Sequence, residues 1–239
     1  MSKSKNKIRW EAAILEVIKE CDGSATLKQI YEEVAKKRQH PNANHIIRAF
    51  LYRMSRVTGE LTKIGLGIYA LPNRNIVESA DLHSNMQGML LELGNIYGYL
   101  TYTANPSSKF KGIQLKNFAT ITPQNFPVLF SSELSSIART IDIIWFKSPS
   151  RAPKHTFDIE RTTDFSKALS RAYQLRDFRI TFYVVALKNR KDQFQRRVAR
   201  EPYNEIKQRV LFRSYEDISS LYEAAIKHSE LKNGTIMEP

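Results

Sequence analysis

Apolar residues recur at helical spacing three times within the first sixty positions. Trp10, Ala13, Ile14, Val17, Ile18 and Cys21 share one helical face, and Asp22-Gly23 ends that run. Leu27, Ile30, Tyr31 and Val34 define a second helix with Thr26 at its N-cap. Pro41-Asn42-Ala43-Asn44 opens a third, whose buried face is Ile46, Ile47, Phe50, Leu51 and Met54. From Leu61 to Leu71 apolar and polar positions alternate about a glycine turn, the pattern of a β-hairpin. A Pro and two Asn in Leu71-Pro72-Asn73-Arg74-Asn75 then mark a boundary. One domain is expected over residues 1–74 and a second over 75–239.

Beyond the boundary the pattern becomes alternating α and β. Leu82, Met86, Met89, Leu90, Leu93 and Tyr97 predict a long amphipathic helix closed by Gly98, followed by a strand from Tyr99 to Thr103. Residues 104–130 show little periodicity and read as an inserted loop region. A short helix near Ser131 to Ala138 leads to a strand over Thr140 to Phe146, and a second strand runs from His155 to Glu160. Phe165, Ala168, Leu169, Ala172 and Tyr173 predict a helix starting near Thr163. Ile180 to Leu187 is a continuous apolar run, as for a strand buried on both faces. Helical segments over 190–208, a strand at Val210 to Phe212 and a helix over 215–228 complete an α/β (α+β) chain.

Charge changes the picture. The chain of 239 residues carries a net +13. Residues 1–72 hold 13 basic against 7 acidic residues, and residues 161–200 hold 11 against 3. Two basic concentrations separated by a neutral stretch suggest a polyanion held at two places. Three short helices and a hairpin make a winged helix, with the third helix in a nucleic-acid groove and the hairpin as wing. His45, Arg48, Tyr52 and Arg56 fall opposite the apolar face of that helix. Arg53 and Lys63 complete the candidate DNA-binding set of this domain. The alternative is a solvated helix face, since winged helices also bind proteins.

The remaining composition excludes more than it assigns. A single cysteine, Cys21, rules out an internal disulfide and a Cys-rich zinc site. No apolar run approaches the ~18–20 residues of a membrane span, and no signal-type segment opens the chain. A cytoplasmic protein without a membrane partner is expected.

Asp142 interrupts an otherwise apolar strand, where an unpartnered ionised carboxylate is costly. It must lie at a mouth of the sheet, be salt-bridged, or bind a cation. Asp158 and Glu160 occupy alternate positions of the next strand, on one face and ~6.6 Å apart at ~3.3 Å per residue. If the strands pair, three carboxylates converge. Their repulsion would raise their pKa values unless a divalent cation neutralised them, and all-oxygen ligands favour Mg²⁺ or Mn²⁺. The competing reading is an ion-pair cluster neutralised by Arg161 and Arg171.

Ile141-Asp142-Ile143-Ile144-Trp145 followed by Phe157-Asp158-Ile159-Glu160-Arg161-Thr162-Thr163 resembles the PD-(D/E)xK nuclease core of restriction endonucleases. The nearer likeness is to a subgroup with a hydrophobic-Glu-x-Glu-x-Thr-Thr strand end. The first domain resembles the HARE-type winged helix, which is joined to restriction endonucleases in other proteins. The resemblance implies an αβββαβ core with a mixed central sheet, Mg²⁺ (or Mn²⁺) held by Asp142, Asp158 and Glu160, and double-stranded DNA as substrate. A palindromic site would favour a homodimer. Glu160 stands where the family usually has lysine, and Ile141 where it has proline. Glu92 matches the family's frequent extra acid and is a further catalytic candidate. Arg161, Lys167, Arg171 and Gln174 are candidate DNA contacts beside the cleft. The expected activity is that of a type II-like, metal-dependent restriction endonuclease. The alternatives are a DNA-binding regulator with an inactive nuclease fold, a structure-specific repair or RNA nuclease, and a protein-interaction module.

Overall fold

A computed structural model describes residues 8–72, 81–129, 131–161 and 164–235. The chain divides into two compact units. One comprises Met1–Val77 with Lys111–Ile113 and Ile226–Pro239, and the other Glu78–Phe110 with Gln114–Ala225.

In the first unit, α1 (Trp10–Glu20), α2 (Leu27–Lys37) and α3 (Ala43–Arg56) follow the apolar spacing read from the sequence. Asp22 and Gly23 both take positive φ directly after α1, which turns the chain out of the helix. Thr26 caps α2 through a capping box with Gln29. The same residue ends a strand missed by periodicity, β1 (Ser24–Thr26), which pairs antiparallel with β3 (Ile68–Ala70). With β2 (Thr62–Lys63) it makes a three-stranded sheet of order β1-β3-β2. Ile14, Val17, Ile18, Ile30, Val34, Ile47, Leu51 and Met54 are fully buried together. Each such side chain contributes ~1.5–3 kcal/mol on burial. Ile46 and Phe50, expected inside, are only half-buried at the edge of this core.

The second unit is built on a five-stranded mixed sheet of order β10-β9-β8-β7-β4. Helix α4 (Leu82–Ile96) precedes β4 (Leu100–Thr103). The stretch expected to be an irregular loop carries β5 (Lys109–Phe110), β6 (Ile113–Gln114) and two 3-10 turns. Phe110, Leu115, Phe118, Ile121, Phe126 and Leu129 along it are buried, so it is anchored rather than looped out. Then come α5 (Ser132–Arg139), β7 (Ile143–Phe146), β8 (Pro153–Ile159), α6 (Ser166–Gln174), β9 (Thr181–Ala186), α7 (Lys191–Val198), β10 (Val210–Ser214) and α8 (Tyr215–Thr235), of which the second unit holds the part up to Ala225. Pairing is antiparallel from β4 through β7 to β8, and parallel from β8 through β9 to β10. The expected αβββαβ order and mixed central sheet are present. Asn73 to Asn75 and Thr162-Thr163, used above to place the boundary and the strand end, lie outside the described residues.

Helix α4 lies close on the sheet because Gly94 offers no side chain. A Cβ there would sit 2.6 Å from both Thr101 Cγ2 and Trp145 Nε1. The Trp145 indole N–H donates to the Leu90 carbonyl at 3.0 Å, which fastens β7 to the same helix. Gly94→Ala should therefore cost ~1–3 kcal/mol through overpacking. A melting curve should show a fall of several degrees, and an unchanged midpoint would contradict the close approach.

Candidate active site

The acidic cluster forms where β7 begins and β8 ends. Antiparallel pairing sets Ile143 opposite Phe157, so the residues just before and just after them, Asp142 and Asp158, come together. Asp142 is not a strand residue as expected. It sits in a bend immediately before β7, at the mouth of the sheet, where a carboxylate can be met by donors from several elements.

Groups from several elements meet its two oxygens. Gln87 Nε2 and Asn105 Nδ2 donate to Asp142 Oδ1 at 3.0 and 3.1 Å, and His83 Nε2 lies 3.2 Å from the same oxygen. The Ile159 backbone N–H donates to Asp142 Oδ2 at 2.8 Å. Burial disfavours a charged His83, but the Asp142 carboxylate outweighs it and the imidazole is raised above its ordinary value. Gln87 is fully buried, and amide donors there fix the Asp142 carboxylate in one orientation.

Asp158 is 5% exposed and receives a hydrogen bond from Arg171 Nη2 at 2.6 Å. Burial nevertheless pushes its carboxyl up to about 7; Arg171 pulls down, while Asp142 and Glu160 push up. Burial also raises Glu160, against the pull of Arg171 and with the push of Asp142. Burial, more than mutual repulsion, therefore raises the carboxyls of Asp158 and Glu160. Arg171 joins the cluster from α6 as an ion-pair partner of Asp158. Arg161 does not neutralise the acids by an ion pair, since its guanidinium pairs with Asp81. Glu160 opens into a cleft of about 340 Å³ lined by His83, Ile159, Arg161, Asp164 and Lys167. Gln174 is exposed and bonds to Ser170.

Glu92 does not join this cluster. At 100° per residue it lies 180° around α4 from His83, on the opposite face. There it is 5% exposed and accepts a hydrogen bond from the Tyr222 hydroxyl of α8. The residues of α4 that do reach the cluster, His83 and Gln87, were missed. Their i, i+4 spacing on an amphipathic helix was the available signal. Asn105 had none, because it comes from the stretch without periodicity.

The donor set suits a hard divalent cation in kind: oxygen ligands only, with raised carboxyls whose repulsion a cation would relieve. Asp158 and Glu160 keep oxygens without a protein donor among the described residues. The cluster is not closed around an ion, since no group of three or more His, Cys, Asp or Glu among the described residues is placed to hold one.

On the first unit, His45, Arg48, Tyr52, Arg53 and Arg56 are all exposed on one side of α3. Arg48 donates to the Tyr31 hydroxyl and lies 5.9 Å from the centre of its ring. Arg53 pairs with Glu11 and lies 4.8 Å from the Phe50 ring centre. Lys63 is half-buried on β2. Among the described residues no helix is long and apolar enough to cross a membrane.

The family model described as Type II restriction enzyme NmeDI C-terminal domain matches residues 71–237, more than half of the chain. No curated protein and no solved structure matches. The match spans α4 to α8, including every element that builds the acidic cluster, and the chain belongs to the type II restriction enzyme NmeDI C-terminal domain family.

Proposed function

We propose that this protein is a Mg²⁺-dependent DNA endonuclease of type II-like restriction, with a PD-(D/E)xK-type active site and a winged-helix domain that reads DNA. The observation that carries this reading is the strand pairing that brings Asp142 beside Asp158 at one end of a mixed sheet, with Glu160 two residues on, in a chain of that family. Asp142, Asp158 and Glu160 would hold Mg²⁺, with Mn²⁺ as an alternative. When bound, the cation polarises the scissile phosphate and makes coordinated water more acidic.

The chain's own residues do the rest. Gln87, Asn105, His83 and the Ile159 N–H hold Asp142 in one orientation, so its geometry needs no rearrangement. Arg171 does the same for Asp158 and offsets part of its buried charge. Glu160, whose raised carboxyl faces the cleft, orients or deprotonates the attacking water. Lys167 and Arg161 line that cleft and meet phosphate oxygens. In the first unit, the order of three helices with the β1-β3-β2 sheet supports a winged helix, and the exposed face of α3 supports groove contact. Double-stranded DNA is the partner, and a palindromic target would call for a homodimer.

The identity of residue 160 tests the role of the third acid. Glu160→Lys restores the usual triad of PD-(D/E)xK enzymes and should retain more Mg²⁺-dependent cleavage than Glu160→Ala. Equal loss in both would instead make Glu160 an obligatory ligand rather than a water-orienting group.

A second reading, a DNA-binding regulator with an inactive nuclease fold, is favoured by one observation: glutamate stands at position 160 in place of lysine. It predicts DNA binding unaffected by Mg²⁺ and no cleavage at any enzyme concentration.

A further inference from the structure

A second cleft, of about 310 Å³, adjoins the first at Asp164, which lines both. Its walls are Phe165 and Ser166 at the start of α6 and three arginines, Arg196, Arg197 and Arg200, on α7 and the turn after it. Arg197 is fixed by donating to Ser166 Oγ at 2.6 Å. Arg196 and Arg200 are exposed. Among the described residues only one carboxylate lines the cleft. Asp164 accepts from the Ser166 N–H at 2.9 Å and from its hydroxyl at 2.5 Å, and these bonds hold its carboxyl below the usual range. One charge, already occupied by Ser166, stands against three guanidiniums.

A fourth cation lies against the Phe165 ring. Arg190 is 8% exposed, and none of its three guanidinium nitrogens has a hydrogen-bond partner among the described residues. Its Cζ lies 4.4 Å from the centre of the Phe165 ring, the ring that lines the cleft. Its charge acts on Glu160, whose carboxyl it pulls down, so the surplus of the second cleft rests on Arg196, Arg197 and Arg200.

We propose that the cleft of Ser166, Arg196, Arg197 and Arg200 is a binding site for a backbone phosphate of the DNA strand, flanking the phosphate that meets the acidic cluster. This rests on the nuclease reading above, and specifies where the strand continues. Ser166 and Arg171 lie five residues apart on α6, ~7.5 Å along its axis at ~1.5 Å per residue. The held phosphate is therefore a near neighbour of the scissile one.

The test is duplex binding by the full chain in Ca²⁺ across a salt series, comparing wild type with Arg196→Ala/Arg200→Ala. The salt slope of log affinity should fall in magnitude by ~0.9, the value of one neutralised phosphate. Arg196→Lys/Arg200→Lys should keep the wild-type slope. Neutralising single phosphates as methylphosphonates should weaken wild-type binding at one position near the cut, and that position should be silent in the double alanine variant. An unchanged slope, or the same methylphosphonate profile in both proteins, overturns the site. Wild-type cleavage in Mg²⁺ is measured alongside, so loss of this site leaves the nuclease reading standing. A wild type that neither binds nor cleaves DNA overturns both.

Discussion

Asp142→Ala and Asp158→Ala should each lower Mg²⁺-dependent cleavage by on the order of 10³-fold or more, while duplex binding in Ca²⁺ stays largely intact. Both acids are assigned to the cation rather than to the duplex, so affinity should survive their loss. The two variants differ in stability. Asp142→Ala strands Gln87, Asn105 and the Ile159 N–H without their acceptor, at ~1–3 kcal/mol for a buried unsatisfied group. Asp158→Ala leaves Arg171 facing an empty site, and breaking a buried pair in this way costs ~3–5 kcal/mol. Asp158→Asn is the gentler probe, because its amide oxygen still accepts from Arg171. Melting curves recorded with the cleavage assays separate lost chemistry from lost fold. Full cleavage by any of the three would remove the acids from the mechanism.

The same carboxyl gives a pH signature. Asp158 is raised to about 7 in the fold from ~3.9 in the unfolded chain. Its protonated form therefore favours the fold below the unfolded value, and that contribution is lost as pH rises through about 7. A cation must displace this proton, so stabilisation by Ca²⁺ should grow as pH rises through the same range. In Asp158→Asn the growth should be absent.

The second large effect belongs to α3. Replacing His45, Arg48, Tyr52 and Arg56 together with alanine should leave the fold intact, since all four are exposed. Binding should weaken, and its salt slope should fall by ~0.9 for each phosphate that is no longer neutralised. A base-edge contact from Arg48 or Arg56 would show differently, costing ~1–3 kcal/mol on cognate DNA and much less on other DNA. Cleavage should become poor or promiscuous. Fragment patterns and competition binding measure both. Unchanged affinity and site preference would assign α3 to another partner and leave the nuclease reading in place.

The residues behind these effects were unevenly legible in the sequence. Asp142 stood out because it interrupts an apolar run, and Asp158 and Glu160 because they alternate on one face of the next strand. A three-residue strand such as β1 is too short for alternation to show, and Thr26 announced itself only as a cap. Helices α1 to α3 were plain because their buried faces repeat over three turns or more. The support of the acidic site was not plain. His83 and Gln87 look like the polar flank of an amphipathic helix, and Asn105 lies 37 residues from the carboxylate it serves. Residues 104–130 gave no period because scattered anchors such as Phe110, Phe118 and Phe126 hold short strands and 3-10 turns. Glu92 misled for a related reason. Its partner, Tyr222, lies 130 residues further along, and only the packing of α8 reveals it.

Digestion of phage DNA, methylated and unmethylated, by the wild-type protein with Mg²⁺ and with EDTA tests the central claim most directly. The expected result is a set of discrete fragments in Mg²⁺ on at least one of the two substrates, no cleavage in EDTA, and none by Asp158→Asn in either condition. Intact DNA in Mg²⁺ at high enzyme and low salt, or the same fragments from Asp158→Asn, would contradict it.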